Sequence, residues 1–393
     1  MSLIISWDVV ILNFLVFPTI FNTTNCIRFH KMGHMEINTM IGCRVDCDFC
    51  PQTLLMDKYS SLANIENISY GNPSFMSFAD FKTCLDKIPK EMEVSFGGYS
   101  EAFLNPECAK MIVYTHNSGH PVEVYSTLVG MTFEDIKQIE HIPFNIFLIH
   151  LPDEPMYAKI AVNKNYIAVL KELLSSNIKN IQAMTMGPLH SKIKEVLDTD
   201  VEVDKMISRA GNLENVKPEF KKKLGPLSCN MVSKKSLEDE LNHNILLPNG
   251  DVALCCMDYG LQNILGNLLK SDYESLFHNE QYEKIRKKMK AQDSDLICRN
   301  CDEAISENEL DERRKIAKDY SGDKLASSLI QLYQNLLGRF PDKEGFDYFY
   351  DKLTNNELTI QDIEDSIKKS FEHGSTQENA RYPKIYLKNP ETS

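Results

Sequence analysis

The chain has 393 residues, 42% of them hydrophobic, which is long enough for a sizeable core and more than one domain. A formal net charge of -13 excludes a general phosphate-backbone binder, which would concentrate Lys and Arg, and no nucleic-acid partner is expected. Eleven cysteines that cluster rather than spread, with no secretory processing pattern, exclude a disulfide framework and fit metal ligation in a reducing, cytoplasmic setting.

Residues 3–21, LIISWDVVILNFLVFPTIF, open the chain with an apolar run about long enough to cross a bilayer, though Asp8, Asn13 and Pro18 weaken it. No basic residue precedes it and no small-residue cleavage site follows, so it makes a poor signal peptide. A spanning segment here would leave the rest of the chain in the cytoplasm, because Arg28 and Lys31 lie on its C-terminal side. The alternatives are a packing helix or strand, or an extension ahead of a functional chain that starts near Met32 or Met35. Residues 1–34 are therefore read as an apolar N-terminal extension, and Cys26 within it carries no signal.

From Met35 the strand-like runs MEINTMIG, EVSFGG, VEVYST, FNIFLIHL and NIQAMTMG alternate with helical stretches such as NPECAKMIVYTHNSG, TFEDIKQIEH and NYIAVLKELLSSN. Such alternation predicts βαβ units and a parallel sheet, whose chemistry belongs at the C-terminal ends of the strands. Cys84 and Cys108 fall inside helical patterns, where a small buried hydrophobe is the default.

GCRVDCDFCPQ follows the first of these strands and places Cys43, Cys47 and Cys50 in one tight loop. Three thiolates can hold three irons of a cubane cluster that normally takes four Cys, which leaves one iron for a ligand from outside. A zinc or redox site is the other reading, although structural zinc usually shows two separated Cys pairs. The loop, with aromatic Phe49 before its last cysteine, resembles the signature of the radical S-adenosylmethionine superfamily, and the resemblance covers roughly residues 35–224. It implies a four-iron four-sulfur cluster on the three cysteines, with the free iron chelating S-adenosylmethionine. FGGYSEAFLNP resembles the family's Gly-Gly-Glu region: Gly97 and Gly98 would admit the methionine part, and Glu101 would meet its amino group from an offset position. YSTLVGMT resembles the family's Thr-Asn-Gly turn without the Asn, which implies ribose contacts from Ser126 and Thr127. SRAGN offers Arg209 for the cofactor carboxylate, a pairing its planar fork suits. Against each stands a plain structural role: glycines for tight packing, an arginine on a solvated face.

From about residue 225 the pattern breaks into Cys-bearing loops. Cys229, Cys255, Cys256, Cys298 and Cys301 include a hairpin, NILLPNGDVALCC, and a C-x2-C pair, enough for one four-Cys cluster. The layout resembles the auxiliary-cluster extension called twitch, the short form of the SPASM domain; a zinc ribbon shares the spacing. The offset after Asn249-Gly250-Asp251 favours Cys255 over Cys256, which gives Cys229, Cys255, Cys298 and Cys301 as ligands. Beyond residue 306 the chain reads as helical and charged, with LYQNLLGRFPDKEGFDYFYDKL carrying a turn at Arg339–Gly345. This segment resembles a small helical domain attached to proteins of polysaccharide and surface assembly, and reads more simply as a packing or docking module.

The expected fold is α/β: a partial (β/α)6 TIM-like barrel over 35–224, a small auxiliary-cluster α+β domain over 225–305 and a C-terminal helical domain over 306–393. The resemblance implies reductive cleavage of S-adenosylmethionine to a 5'-deoxyadenosyl radical. Hydrogen abstraction from a carbohydrate-like small molecule would follow, with the auxiliary cluster accepting an electron. The implied cofactors are two 4Fe-4S clusters and S-adenosylmethionine, and the implied partners are a small-molecule or carrier-bound substrate and a donor such as flavodoxin or ferredoxin. A peptide or protein maturase and a non-catalytic zinc-stabilised binding protein are the alternatives. Oxidation also needs a base, and Tyr99, His150, Asp153 and Asp258 stand at strand ends or beside the auxiliary cysteines with nothing in the sequence to choose among them.

Overall fold

The computed structural model describes residues 33–197, 201, 203–204, 206–213, 216, 222–229, 241–337, 340–368 and 385–388. In chain order the first half contains β1 (His34–Ile37), β2 (Met40–Ile41), α1 (Gln52–Ala63), β3 (Ser74–Phe75), α2 (Phe78–Leu85), β4 (Glu93–Phe96), α3 (Cys108–Asn117), β5 (Val122–Ser126), α4 (Phe133–Ile139), β6 (Ile146–His150), α5 (Lys164–Ser175), β7 (Ile181–Met184) and α6 (Ser191–Leu197). The second half contains β8 (Leu227–Cys229), β9 (His243–Leu246), β10 (Asp251–Ala253), β11 (Ile264–Asn267), α7 (Glu280–Lys290), β12 (Ala304–Ser306), α8 (Glu307–Asp319), α9 (Lys324–Leu337), α10 (Lys343–Thr354), α11 (Ile360–Lys368) and β13 (Ile385–Lys388).

One sheet has the strand order β11-β10-β9-β1-β4-β5-β6-β7-β13. Strands β1, β4, β5, β6 and β7 are parallel neighbours, and an isolated parallel bridge from Thr185 to Val203 continues the series. This is the partial barrel expected from the strand–helix alternation. On the other side of β1 lies β9, also parallel, and β10 and β11 extend that edge as antiparallel partners. The auxiliary segment is thus joined to the barrel through its own sheet. The single run MEINTMIG divides into β1 and β2, and β2 pairs antiparallel with β3 in a separate two-stranded sheet.

Successive strand side chains point to opposite faces. One face carries Met35, Ile37, Val94, Phe96, Val122, Val124, Phe147 and Ile149, all buried in the main core with Phe81, Ile112, Ile136 and Leu170 of the helices. Each such side chain contributes roughly 1.5–3 kcal/mol by leaving water. The opposite face is polar and points into the barrel: His34, Glu36, Glu93, Ser95, Glu123, Tyr125, His150 and Gln182. Helix starts are fastened locally. Ser77 caps α2, Asn163 caps α5, and Thr132 and Asp135 form a reciprocal capping box on α4. Cys84 and Cys108 are buried in α2 and α3, as their helical patterns indicate.

The C-terminal helices have a core of their own, built from Leu329, Tyr333, Phe346, Leu353 and Ile363. Of the turn expected over Arg339–Gly345, Arg339 lies outside the described residues and the last three positions are helical. Helix α10 already begins at Lys343, and the Asp342 carboxylate accepts the Gly345 amide at 2.8 Å, so Gly345 lies in the first helical turn. No described helix is long and apolar enough to cross a membrane; residues 3–21 and Cys26 lie outside the described residues.

Candidate functional site

The chain leaves β2 through Gly42, whose φ of +99° and close approach suit only glycine: a Cβ there would sit 2.7 Å from the Ser69 carbonyl oxygen. The cysteine loop that follows is held from outside. Lys159 pairs with Asp46 at 3.3 Å and Asp48 at 3.0 Å, and the Asp48 amide donates to the Tyr157 carbonyl at 2.9 Å. Cys43, Cys47 and Cys50 all line one cavity of about 740 Å³ of space, open to solvent, at the C-terminal ends of β4 to β7. The Glu101 amide donates to Cys43 Sγ at 3.4 Å, while Cys50 Sγ accepts from Gln52 Nε2 at 3.2 Å and lies 3.5 Å from the Tyr259 hydroxyl.

Burial pushes the Cys43 thiol up to about 12 and Cys47 well above the usual range, with neighbouring thiols adding to both. Three thiols that oppose one another's ionisation need a cationic group to hold them as thiolates. The donor set fits an iron-sulfur cluster better than one ion. A tetrahedral zinc site with Zn–S of about 2.3 Å would keep its sulfurs within roughly 4 Å of each other. Among the described residues, three ligand atoms all within 4.8 Å of one another occur only in His34, Glu36, His243 and in His34, Glu93, Glu123, so the three thiols do not all lie that close together.

The remaining residues singled out in the sequence share this cavity: Phe49, Gly97, Gly98, Glu101, Ser126, Thr127 and Arg209 all line it. Gly98 has φ +78°, and a Cβ on it would lie 3.1 Å from Glu36 Oε2. Glu101 is fully buried and already engaged. Its carboxylate accepts from Ser126 Oγ at 2.9 Å, the Thr127 amide and hydroxyl at 2.5 Å each, and the Phe103 amide at 3.1 Å. Burial raises its pKa even against these donors. The structure thus shows Glu101, Ser126 and Thr127 knitting the ends of β4 and β5 together, a role the short motifs did not reveal. Arg209 Nε donates to the Phe49 carbonyl at 3.4 Å, which ties the end of the barrel segment to the cysteine loop.

Of the four possible bases, two line the cavity. His150, at the end of β6, stacks on Phe49 at 4.9 Å; burial, then Arg209, lowers its pKa to about 3, so its ring is neutral at physiological pH. Tyr99 is buried and donates its hydroxyl to the Cys255 carbonyl at 2.8 Å. Asp153 instead accepts the amides of Tyr157 and Ala158 at 2.8 and 3.0 Å, and Asp258 accepts those of Gln262 and Asn263 at 3.1 and 2.8 Å. Both are turn-forming carboxylates, and neither lines the cavity. Gln52, Tyr125 and Tyr259 also line it and were not read from the sequence, since none sits in a recognisable spacing.

Cys229, Cys255, Cys298 and Cys301 line a second, smaller pocket, walled mainly by Leu241, Leu254, Met257, Ile297 and Ala304. Cys256 does not line it and packs instead with Tyr99 and Tyr259. Burial and the neighbouring thiols push Cys255 and Cys298 well up. Cys229 is placed by β8, which pairs antiparallel with β12 opposite Ala304. Between Cys298 and Cys301, fully buried Arg299 donates to the carbonyls of Lys288 at 2.8 Å, Ala291 at 2.6 Å and Gly225, locking the C-x2-C turn. The two cavities are linked by Tyr99 and Tyr259, whose rings lie 4.5 Å apart.

Residues 239–302 match SPASM, an iron-sulfur cluster-binding domain. Comparison with curated proteins gives no match. Among solved structures, the chain is similar to BtrN in complex with AdoMet and 2-DOIA, at 16% identity over 66% of this chain and 88% of that one, with a TM-score of 0.44. It is also similar to native anSMEcpe with bound AdoMet, at 11% identity over 64% and 82% with a TM-score of 0.40. SuiB from Streptococcus suis, bound to precursor peptide SuiA, is similar at 12% identity over 65% and 67% with a TM-score of 0.44. The SPASM match bears out the auxiliary iron-sulfur cluster expected of this part of the chain.

Proposed function

We propose that this chain uses S-adenosylmethionine and the Cys43, Cys47 and Cys50 loop to start radical oxidation of a carbohydrate-like small molecule. When bound, the cluster and S-adenosylmethionine supply a hydrogen-abstracting radical. One observation carries the reading. Three thiols open onto the same cavity as Gly97, Gly98, Arg209 and a neutral His150, with a four-thiol pocket beside the Tyr99–Tyr259 pair.

The residues divide the remaining work. Gly97 and Gly98 keep the wall thin where the methionine part would lie, and Arg209 brings a guanidinium suited to a carboxylate. Cys229, Cys255, Cys298 and Cys301 supply four protein donors, so a cluster there would be fully ligated and suited to electron transfer alone. The proton released on oxidation needs an acceptor at the cavity. His150 lines the cavity, but its Nε2 is shut off from solvent and its depressed pKa makes it a weak base, so it is poorly suited to keep that proton.

Anaerobic reconstitution with iron and sulfide tests this. The expected result is about eight irons per chain and a broad absorption near 400 nm, followed by 5'-deoxyadenosine on adding S-adenosylmethionine and dithionite. A colourless protein that retains zinc under the same conditions overturns it.

A further inference from the structure

The auxiliary segment reaches beyond its own pocket. After Cys255 it enters a tight turn, in which the Asp258 amide donates to the Cys255 carbonyl at 3.0 Å and the Leu261 amide to the Asp258 carbonyl at 2.9 Å. The Asp258 carboxylate holds the far side of the turn through the Gln262 and Asn263 amides. Asn212 Nδ2 braces the near side, donating to the Met257 carbonyl at 2.9 Å and to the Arg209 carbonyl at 2.7 Å. One braced turn therefore carries both Cys255, which lines the auxiliary pocket, and Tyr259, which lines the cavity of the cysteine loop.

Tyr259 meets a sulfur there. Its side chain is buried, its ring packs against Tyr99 at 4.5 Å, and its hydroxyl lies 3.5 Å from Cys50 Sγ. A thiolate that holds a metal has lone pairs and no proton, so in the loaded loop the phenol is the donor at this contact. Gln52 Nε2 donates to the same sulfur at 3.2 Å and to the Tyr99 carbonyl. Gln52 belongs to α1, which directly follows the loop, whereas Tyr259 arrives from 209 residues away. Hydrogen bonds to ligand sulfurs are among the factors that set a cluster's reduction potential. An added electron makes the sulfurs more negative, so a donor aimed at one of them stabilises the reduced state more than the oxidised one and raises the potential.

We propose that Tyr259 is a positioning residue by which the auxiliary segment acts on the radical site: its hydroxyl donates to the Cys50 thiolate and makes the loop cluster easier to reduce by one electron from an external donor. This rests on the reading of the cysteine loop as a radical cluster site and assigns that site a control from outside the barrel.

The test is an anaerobic redox titration of the reconstituted full chain, followed by electron paramagnetic resonance. The signal that changes on adding S-adenosylmethionine belongs to the loop cluster, since four protein donors leave no iron open in the auxiliary pocket. Tyr259→Phe keeps the ring against Tyr99 and deletes only the donor. Reduction of the loop cluster then becomes about tenfold less favourable, a fall of about 59 mV for one electron, while the auxiliary cluster moves less than half as far and the iron content stays at about eight. Tyr259→Met, with neither ring nor hydroxyl, repeats the measurement should the phenylalanine variant assemble poorly, and it lowers the potential likewise. A loop-cluster equilibrium within about threefold of the wild type in both variants overturns the proposal. So does an equal fall at both clusters, which marks a general loosening, or loss of the loop's iron from both variants, which makes Tyr259 a scaffold residue. A potential that falls in a chain that never forms 5'-deoxyadenosine sinks the proposed function alone. 5'-Deoxyadenosine formed at an unchanged potential sinks only the role of Tyr259, and a wild type with no signal that responds to S-adenosylmethionine sinks both.

Discussion

The two cysteine sites use the same ligand in opposite settings. Cys43, Cys47 and Cys50 come from one short loop and open onto a broad cavity with polar walls, whereas Cys229, Cys255, Cys298 and Cys301 come from separate segments and close around a smaller, largely apolar pocket. A loop that supplies three donors at an open cavity is arranged for a ligand that arrives and leaves. Four donors gathered behind apolar walls are arranged to stay saturated, and an apolar shell is one of the factors that tune a cluster's potential. The Tyr99 hydroxyl on the Cys255 carbonyl ties these two environments into one rigid unit.

The comparison breaks most visibly if the loop cysteines are removed together. A Cys43→Ala, Cys47→Ala, Cys50→Ala chain should bind about four irons instead of about eight and form no 5'-deoxyadenosine. Loss of all iron would mean that the two sites do not fold independently. Single changes at the auxiliary pocket sharpen the contrast. Cys255→Ala, which removes a cavity-lining thiol, should lose the second cluster, while Cys256→Ala, which packs outside the pocket, should keep the full iron content. Iron assays and electron paramagnetic resonance of the reduced proteins would show the reverse if Cys256 were the ligand.

How much of this was legible depends on which face of a strand a residue takes. The runs EVSFGG and VEVYST show clean alternation, and they are strands β4 and β5. Yet Glu93, Ser95 and Glu123, which alternation alone would send to solvent, are buried because their face is the inside of a barrel. Sequence period identifies a strand and cannot say that both of its faces are enclosed. The cysteine loop was legible because its residues are contiguous. Tyr259 and the partners of Glu101 were not, because each acquires its role only when distant segments come together. Glu101 shows the limit most clearly: a short motif pointed at a cofactor, and folding supplies four donors from the protein itself.

That engagement predicts a smaller effect than loss of a cluster. Glu101→Ala should cost about 1–3 kcal/mol of stability by leaving buried Ser126 and Thr127 donors without an acceptor. Glu101→Gln, which keeps the shape and one acceptor, should cost less. Thermal unfolding of the cluster-free chain measures both. A neutral result for the alanine variant would mean that the carboxylate serves a bound ligand more than the β4–β5 junction.

The smallest effect concerns pH and returns to the open cavity. Burial, with Arg209 adding, holds His150 near a pKa of about 3, against about 6.5 in the unfolded chain. Between these values the unfolded state binds the extra proton, so this residue makes stability fall as pH drops from 6.5 toward 3. The slope approaches about 1.4 kcal/mol per pH unit where the unfolded imidazole is fully charged. Glu101, whose pKa is raised, acts in the opposite sense: its contribution weakens stability as pH rises above its unfolded value of about 4.5. His120, whose pKa burial also lowers, acts in the same direction as His150. A difference curve removes both. His150→Phe keeps a ring to stack on Phe49 and deletes the titrating nitrogens, so from pH 6.5 down to pH 5 the wild type should lose stability relative to the variant. Parallel curves over that interval would show that the imidazole is as easily charged in the folded cavity as in water, and the neutral ring at the cavity wall would fall with it.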